Sequence, residues 1–148
     1  MTSATIRPMA IDDAAAVAAL NGDLGYPTAV PEASERIAAL TASDSHVALV
    51  AEVDGRVVGW VHAARKPSLV EAATVQVMGL VVGDGHRSRG IGLRLLVEAE
   101  AWAARAGACR IVVGSRITRE RAHGFYLRHG YALQKTSHWF EKRVPEGA

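Results

Sequence analysis

Leu80-Val81-Val82-Gly83-Asp84-Gly85-His86-Arg87-Ser88-Arg89-Gly90-Ile91-Gly92 is the stretch on which the reading of this chain turns. Apolar residues of a buried strand pass into a glycine-rich loop, Gly83 to Gly92, and the loop opens a helix. Successive backbone N–H groups in such a turn can point at one anion, and the helix dipole favours negative charge there. Gly90 and Gly92 let the backbone come close, where a Cβ would obstruct a phosphate. Arg87 and Arg89 add charge-assisted donors. A pyrophosphate is the natural ligand of such a cradle. Two rival glycine motifs fail. A P-loop needs Gly-Lys-Ser/Thr, a triplet the chain lacks. The dinucleotide pattern G-x-G-x-x-G fails at its last glycine in both Gly83–Ser88 and Gly90–Leu95. What remains is an R-x-x-G-x-G pattern over Arg87 to Gly92.

Downstream, Ile91, Leu95, Ala99, Trp102, Ala103 and Ala106 recur at helical spacing, and Gly107 stands where a C-terminal cap belongs. Arg110 to Gly114 reads as a strand. A shorter helix follows from about Arg119 to His129, stopped by Gly130. The alternation in Tyr131 to Arg143 predicts two last strands or one hairpin. Upstream, the run Ala73 to Val82 is the longest strand, apolar enough for the sheet centre. Gly79 inside it marks a bulge or a close backbone approach. Val47 to Val53 and Arg56 to Ala63 flank Asp54-Gly55, a type I′ hairpin signal. Ile6-Arg7-Pro8 opens the chain as a strand. Asp12 or Asp13 caps a helix over Ala14 to Leu24, Gly25-Tyr26-Pro27 breaks it, and Pro31-Glu32 starts another with Ile37 and Leu40 inward. The order predicts a mixed α/β sheet with an antiparallel front half, in a single domain over residues 1–148.

The composition agrees with that class. The chain has 148 residues, 49% of them apolar and 22% charged, which excludes a disordered or collagen-like chain. Its one cysteine, Cys109, cannot form an internal disulfide, and its place at a strand start suggests a buried structural thiol. No metal site is expected. Lysine and arginine number 17 against 15 acidic residues, so the pI of about 9.0 is weak evidence for nucleic-acid binding. No apolar run is long enough for a membrane span, and the first residues lack the apolar core of a signal peptide. A soluble, cytoplasmic protein is the expectation.

A second segment carries further information. Arg119-Glu120-Arg121-Ala122-His123-Gly124-Phe125-Tyr126-Leu127-Arg128-His129-Gly130-Tyr131 has Ala122, Phe125, Tyr126 and Gly130 in one register. With Arg87 to Gly92, it resembles the GNAT N-acetyltransferase superfamily, whose distal pattern is N-x-x-A-x-x-F-Y-x-x-x-G-F. The resemblance covers roughly Val47 to Lys142. Tyr131 replaces the usual Phe, and Arg119 stands where the family often has Asn.

The resemblance implies a strongly twisted mixed sheet flanked by helices, with acetyl-CoA entering where two parallel strands splay near Val82 and Gly114. It implies that the backbone of Leu80, Val81 and Val82 holds the acetyl and pantetheine groups. Arg87, Ser88, Arg89, Gly90, Ile91 and Gly92 would hold the pyrophosphate. Arg119 would reach a CoA phosphate, and Phe125 and Tyr126 would line the cofactor site. Tyr126 would protonate the leaving thiolate, since a phenol of pKa about 10 is a proton donor at neutral pH. The attacking amine needs a base or water chain. Glu71 is the first choice, ahead of Gln76 through water, His62, Glu52 and His123. The acceptor is expected to be a small-molecule amine, with no nucleic acid or membrane partner and with a homodimer plausible through a sheet edge. The alternatives are acetylation of a protein amine and a non-catalytic acyl-CoA-binding module.

Overall fold

A computed structural model describes residues 3–87 and 89–147. The chain divides into two compact units, Met1–Gly114 and Ser115–Ala148.

The first unit is built on a five-stranded sheet: β1 (Thr5–Pro8), β2 (His46–Val53), β3 (Arg56–Lys66), β4 (Thr74–Val82) and β5 (Ile111–Val113), in the order β1-β2-β3-β4-β5. The first four are antiparallel neighbours, and β4 pairs with β5 in parallel. The antiparallel half follows from a short turn: Asp54 (φ 51°) and Gly55 (φ 76°) are both left-handed, as a two-residue type I′ loop requires. The parallel pair needs a crossover, which is α3 (Ile91–Arg105).

Helix α3 covers one face of the sheet. Ile91, Leu95, Leu96, Ala99 and Ala103 are its buried stripe, and Leu95, Leu96 and Ala99 are wholly enclosed. A buried leucine contributes roughly 1.5–3 kcal/mol, so this stripe is the main anchor of the glycine loop ahead of it. The other face carries α1 (Ala14–Asp23) and α2 (Val30–Thr41), whose Val17, Ala33 and Ile37 pack with Ala48 and Val50 of β2, and with Trp60 of β3 at the margin. Alanine dominates the contact, so these helices can sit close to the sheet.

An ion-pair knot ties the chain start to this layer. Arg7 on β1 donates two hydrogen bonds to Asp13 (2.8 and 2.9 Å) and one to Glu52 on β2 (2.7 Å). Asp13 also accepts from the Ala10 N–H. The Arg7 fork, against the cost of burial, holds the Asp13 carboxyl below the usual carboxylate range and raises the guanidinium above its own.

Three sequence expectations are altered. Residues 131–147 contain no strand. The segment from Ala132 to Val144 has no Gly, Pro, Asn or Asp to turn a hairpin, and an isolated two-stranded ribbon is marginal at best. Its Leu133, Trp139, Phe140 and Val144 are more than four-fifths exposed. Cys109 is exposed rather than a buried thiol, because α3 ends at Arg105 and the chain is at the surface before β5 starts. The first helix begins with a 3-10 turn, Ile11–Asp13, and the Asp13 carboxylate is spent on Arg7 and Ala10 instead of capping the helix that follows. In the second unit, α4 (Glu120–Arg128) is the helix expected there.

Candidate active site

Strand β4 is longer than its parallel partner. Pairing runs only through Val75–Ile111, Gln76–Val112 and Val77–Val113. Beyond Val113 the partner strand ends, so β4 from Met78 to Val82 has no β5 neighbour. The backbone groups along that edge are free of the β4–β5 ladder, and such groups need a partner. The ladder between the two parallel strands therefore stops short of Val82.

A bulge lies at the start of this edge. His62 opposes Gly79 and Ala63 opposes Val77, so Met78 is the extra residue. Gly79 is required by its neighbour: a Cβ there would stand 2.6 Å from the Trp60 ring. The sequence signal of a bulge or close approach at Gly79 corresponds to both features at once.

Past Val82, the loop makes a 3-10 turn at Asp84–His86 and reaches α3 through Gly90. Gly90 has φ 77° and ψ 5°, a left-handed conformation open to glycine at little cost. No atom of the described residues lies within 4 Å of the place a Cβ would take, and the left-handed backbone angle is what calls for glycine at 90. The Arg94 N–H bonds to the Gly90 carbonyl and closes the first turn. The amides of Ile91, Gly92 and Leu93 precede that bond and form the anion-facing end of the helix.

The arginines divide by role. Arg87 is turned back on its own loop, donating from Nε to the Val82 carbonyl (3.1 Å) and pairing with Asp84 (2.9 Å). It braces the loop in this conformation. Arg89 lines a recess of about 140 Å³ with Ser3, Ala4, Val53, Ile91 and Arg94. Arg94, whose guanidinium also donates to the Ala4 carbonyl, is the residue the sequence reading missed. Its signal was the spacing: it lies three residues after Ile91 and thus on the same side of the helix start. Ser88 lies outside the described residues.

Other candidates are placed elsewhere. Glu71 is exposed and paired with Arg110 (2.9 Å), ahead of the N-terminal end of β4. The length of β4, about 25–30 Å at roughly 3.3 Å per residue, separates it from the glycine loop. The structure does not bring Glu71 to the unpaired edge, because the chain enters β4 at one end of the sheet and leaves it for the loop at the other. Glu52 is held by Arg7. His62 lies on β3 opposite Gly79, and Gln76 lies on β4 before the bulge.

Within the second unit, α4 carries Phe125 and Tyr126, with Arg119 at its start. The rings of Phe125 and Tyr126 meet edge to face at 5.3 Å, and Tyr126 meets Tyr131 at 5.6 Å. Burial raises the Tyr126 phenol above its ordinary value of 10, against a smaller lowering by Arg119, so the group is a neutral O–H at physiological pH. His123 is committed to the Arg116 carbonyl, to which its Nε2 donates at 2.8 Å.

A sequence model of the Acetyltransferase (GNAT) family matches residues 16–131. An uncharacterized N-acetyltransferase of Mycobacterium tuberculosis is 30% identical over 136 residues, 84% of this chain and 85% of that protein. The aminoalkylphosphonate N-acetyltransferase of Salmonella typhimurium is 38% identical over 87 residues, 58% of this chain and 54% of that protein. Among solved structures, the aminoglycoside N-acetyltransferase AAC(6')-Iy in complex with CoA superposes with a TM-score of 0.88 at 16% identity, covering 97% of both chains. An aminoglycoside 6'-N-acetyltransferase from Acinetobacter haemolyticus gives 0.83 at 17% identity, covering 95% of this chain and 99% of that one. These two likenesses establish a shared fold. With the family match and the M. tuberculosis relative, they lead to one conclusion: this chain belongs to the GNAT acetyltransferase family and is an N-acetyltransferase.

Proposed function

We propose that the protein transfers the acetyl group of acetyl-CoA to a primary amine of a small molecule, by direct attack of the amine on the thioester. The observation that carries this reading is the unpaired edge of β4 from Met78 to Val82, running straight into the left-handed Gly90 and the open amides of α3. A strand edge suits the amide-bearing pantetheine arm, and a helix start with two arginines in one recess suits its phosphates. Leu80, Val81 and Val82 would hold the arm through their backbone. The amides of Ile91 and Gly92 with Arg89 and Arg94 would hold the phosphates, Arg87 would brace the loop, and Ser88 and Gly90 would complete it. Tyr126 would supply the proton to the departing sulfur, with Phe125 and Arg119 in support.

The family match spans residues of both units, which supports reading residues 1–148 as one catalytic domain. The Salmonella relative acts on aminoalkylphosphonates by its name, and several fold neighbours are named for aminoglycosides. Both classes are small amines, which supports a small-molecule acceptor. Glu71 is not retained as the base, given its distance and its arginine partner.

Two measurements test the reading. Calorimetric titration with acetyl-CoA should show binding that an Arg89→Ala, Arg94→Ala double variant weakens by more than tenfold. Thiol release should then be followed with a panel of 2-aminoethylphosphonate, neamine and simple primary amines. Tyr126→Phe should bind acetyl-CoA normally and lose turnover by about 100-fold, the lower end of what a positioned acid supplies. Absence of binding at millimolar acetyl-CoA would overturn the proposal.

A further inference from the structure

Two histidines meet across β2 and β3. His46 Nδ1 and His62 Nε2 are 2.9 Å apart, and the rings stack at 5.1 Å with 27° between their planes. His62 opposes Ala48 on one side and Gly79 on the other. Directly opposed residues of an antiparallel ladder share a face, with Cα atoms about 4.5–5.5 Å apart. Ala48 packs in the cluster under α1 and α2, so His62, Gly79 and Trp60 belong to that same face. His62 therefore stands beside Gly79, the residue of the unpaired edge that has no side chain and against which the Trp60 ring lies. At the other end of the pair, His46 lines a surface recess of about 240 Å³ with Met9, Leu40 and Thr41.

We infer that His62 and His46 form a two-histidine proton path, from the sheet face beside Gly79 to the recess at Leu40 and Thr41, that carries away the proton shed by the attacking amine. The inference rests on the acetyl-transfer reading above. In this step the amine nitrogen forms its bond to the acetyl carbon, the carbon–sulfur bond breaks, and the departing thiolate takes the Tyr126 phenol proton of the proposed reaction. The nitrogen's proton passes to His62 Nδ1. The Nε2 proton of His62 moves to His46 Nδ1, and the Nε2 proton of His46 leaves to water in the recess. Both rings stay neutral and each switches tautomer; once product has left, the reverse shift restores them, a water of the recess giving a proton to His46 Nε2 and water at the sheet face taking the one on His62 Nδ1.

The environment favours a relay over a stored charge. Burial, then His46 and Lys66, lower His62 to about 4, so a lasting imidazolium there is unfavourable. The titratable groups that bear on His62 are His46 from β2 and Lys66 from the end of β3. From β4 the facing residues are Gly79 and Gln76, neither of which titrates. A neutral ring that hands its proton on meets this constraint, and a lone base would not.

The test compares the full-length wild type with His62→Gln and His46→Gln, whose amides keep a hydrogen bond but relay no proton. Thiol release is measured from pH 6 to 9 with the best amine of the panel, alongside acetyl-CoA calorimetry and thermal melting. Acetyl-CoA affinity should stay within about twofold, while kcat falls by about 10- to 100-fold in His62→Gln and at least about fivefold in His46→Gln. The wild-type rate should level off with rising pH, and that of His62→Gln should keep climbing as free amine and hydroxide take over. Imidazole ¹⁵N spectra of the wild type provide a readout that survives a variant that fails to fold. Two neutral rings joined by one N–H···N bond at pH 7 support the path, and a cationic ring at either position overturns it. Unchanged kcat and pH profile in folded variants overturn the path alone. A wild type that binds acetyl-CoA and acetylates no amine overturns the acetyl-transfer reading, and the path falls with it.

Discussion

Asp13 is among the few buried charged residues described, and its chemistry sets an acid limit on the fold. Its carboxyl titrates lower in the folded chain than in the unfolded one, because the Arg7 fork favours the ionised form. Its contribution is therefore present in full above the unfolded value of about 4 and is lost as pH falls through the lower, folded value. Asp13→Asn should cost about 1–3 kcal/mol at pH 7 in chemical denaturation, and the gap from wild type should narrow below pH 4. At Gly79, alanine would force the Trp60 ring aside from 2.6 Å. Gly79→Ala should lower the melting temperature and raise the KM for the amine, while leaving acetyl-CoA affinity at the α3 end unchanged. Both residues differ in how they could be read. Gly79 was legible because a glycine amid valines breaks a pattern. The Asp13 fork joins residues brought together only by the pairing of β1 with β2, which no local rule encodes.

At the scale of elements, α3 does two jobs that separate cleanly. Its buried stripe anchors the sheet, and its open first turn faces an anion. Leu95→Ala, at a wholly enclosed position, should cost about 2–5 kcal/mol in urea unfolding. Gly90→Ala should cost only about 1 kcal/mol for its left-handed angle, yet weaken acetyl-CoA binding by more than tenfold if the loop closes differently. The elements with strong periodicity or turn chemistry, α3, the Asp54-Gly55 hairpin and β4, were legible in the sequence within a residue or so, save that the second hairpin strand runs three residues past Ala63, to Lys66. The last segment was not. From Ala132 onward, apolar residues alternate loosely with no turn signal, and alternation alone does not supply a partner strand. The placement of Glu71 also escaped the sequence. Nearness in the chain to β4 says nothing about which end of that strand the chemistry occupies.

For the whole molecule, stability should be distributed unevenly. Backbone amides of β2, β3 and the paired part of β4 lie in continuous ladders under α3. Those of residues 132–147 take part in no ladder. Hydrogen exchange followed by mass spectrometry should label 132–147 within the shortest exposure and leave β2 to β4 protected for hours. Among the described residues, no helix is long and apolar enough to cross a membrane. The glycine loop and the Phe125-Tyr126 segment together were enough to reach the family from sequence, since both rest on local backbone demands. The histidine pair was not visible as a unit: His46 and His62 are sixteen residues apart and meet only through the β2–β3 register.

The extra residue at Met78 changes the parity of β4. Ahead of it, even-numbered Gln76 looks the same way as Ala64. After it, odd-numbered Gly79 looks the same way as His62. One strand thus runs in two phases, and the switch falls where the β5 partner ends. A chain lacking Met78 alone would lose the extra residue and run in one phase: Val77 would stay opposite Ala63 and Gly79 opposite His62 in an unbroken ladder. Among single-residue deletions along β4, the one at 78 should therefore cost less stability than those at 76, 77 or 80, a contrast that a deletion scan followed by thermal melting would reveal directly.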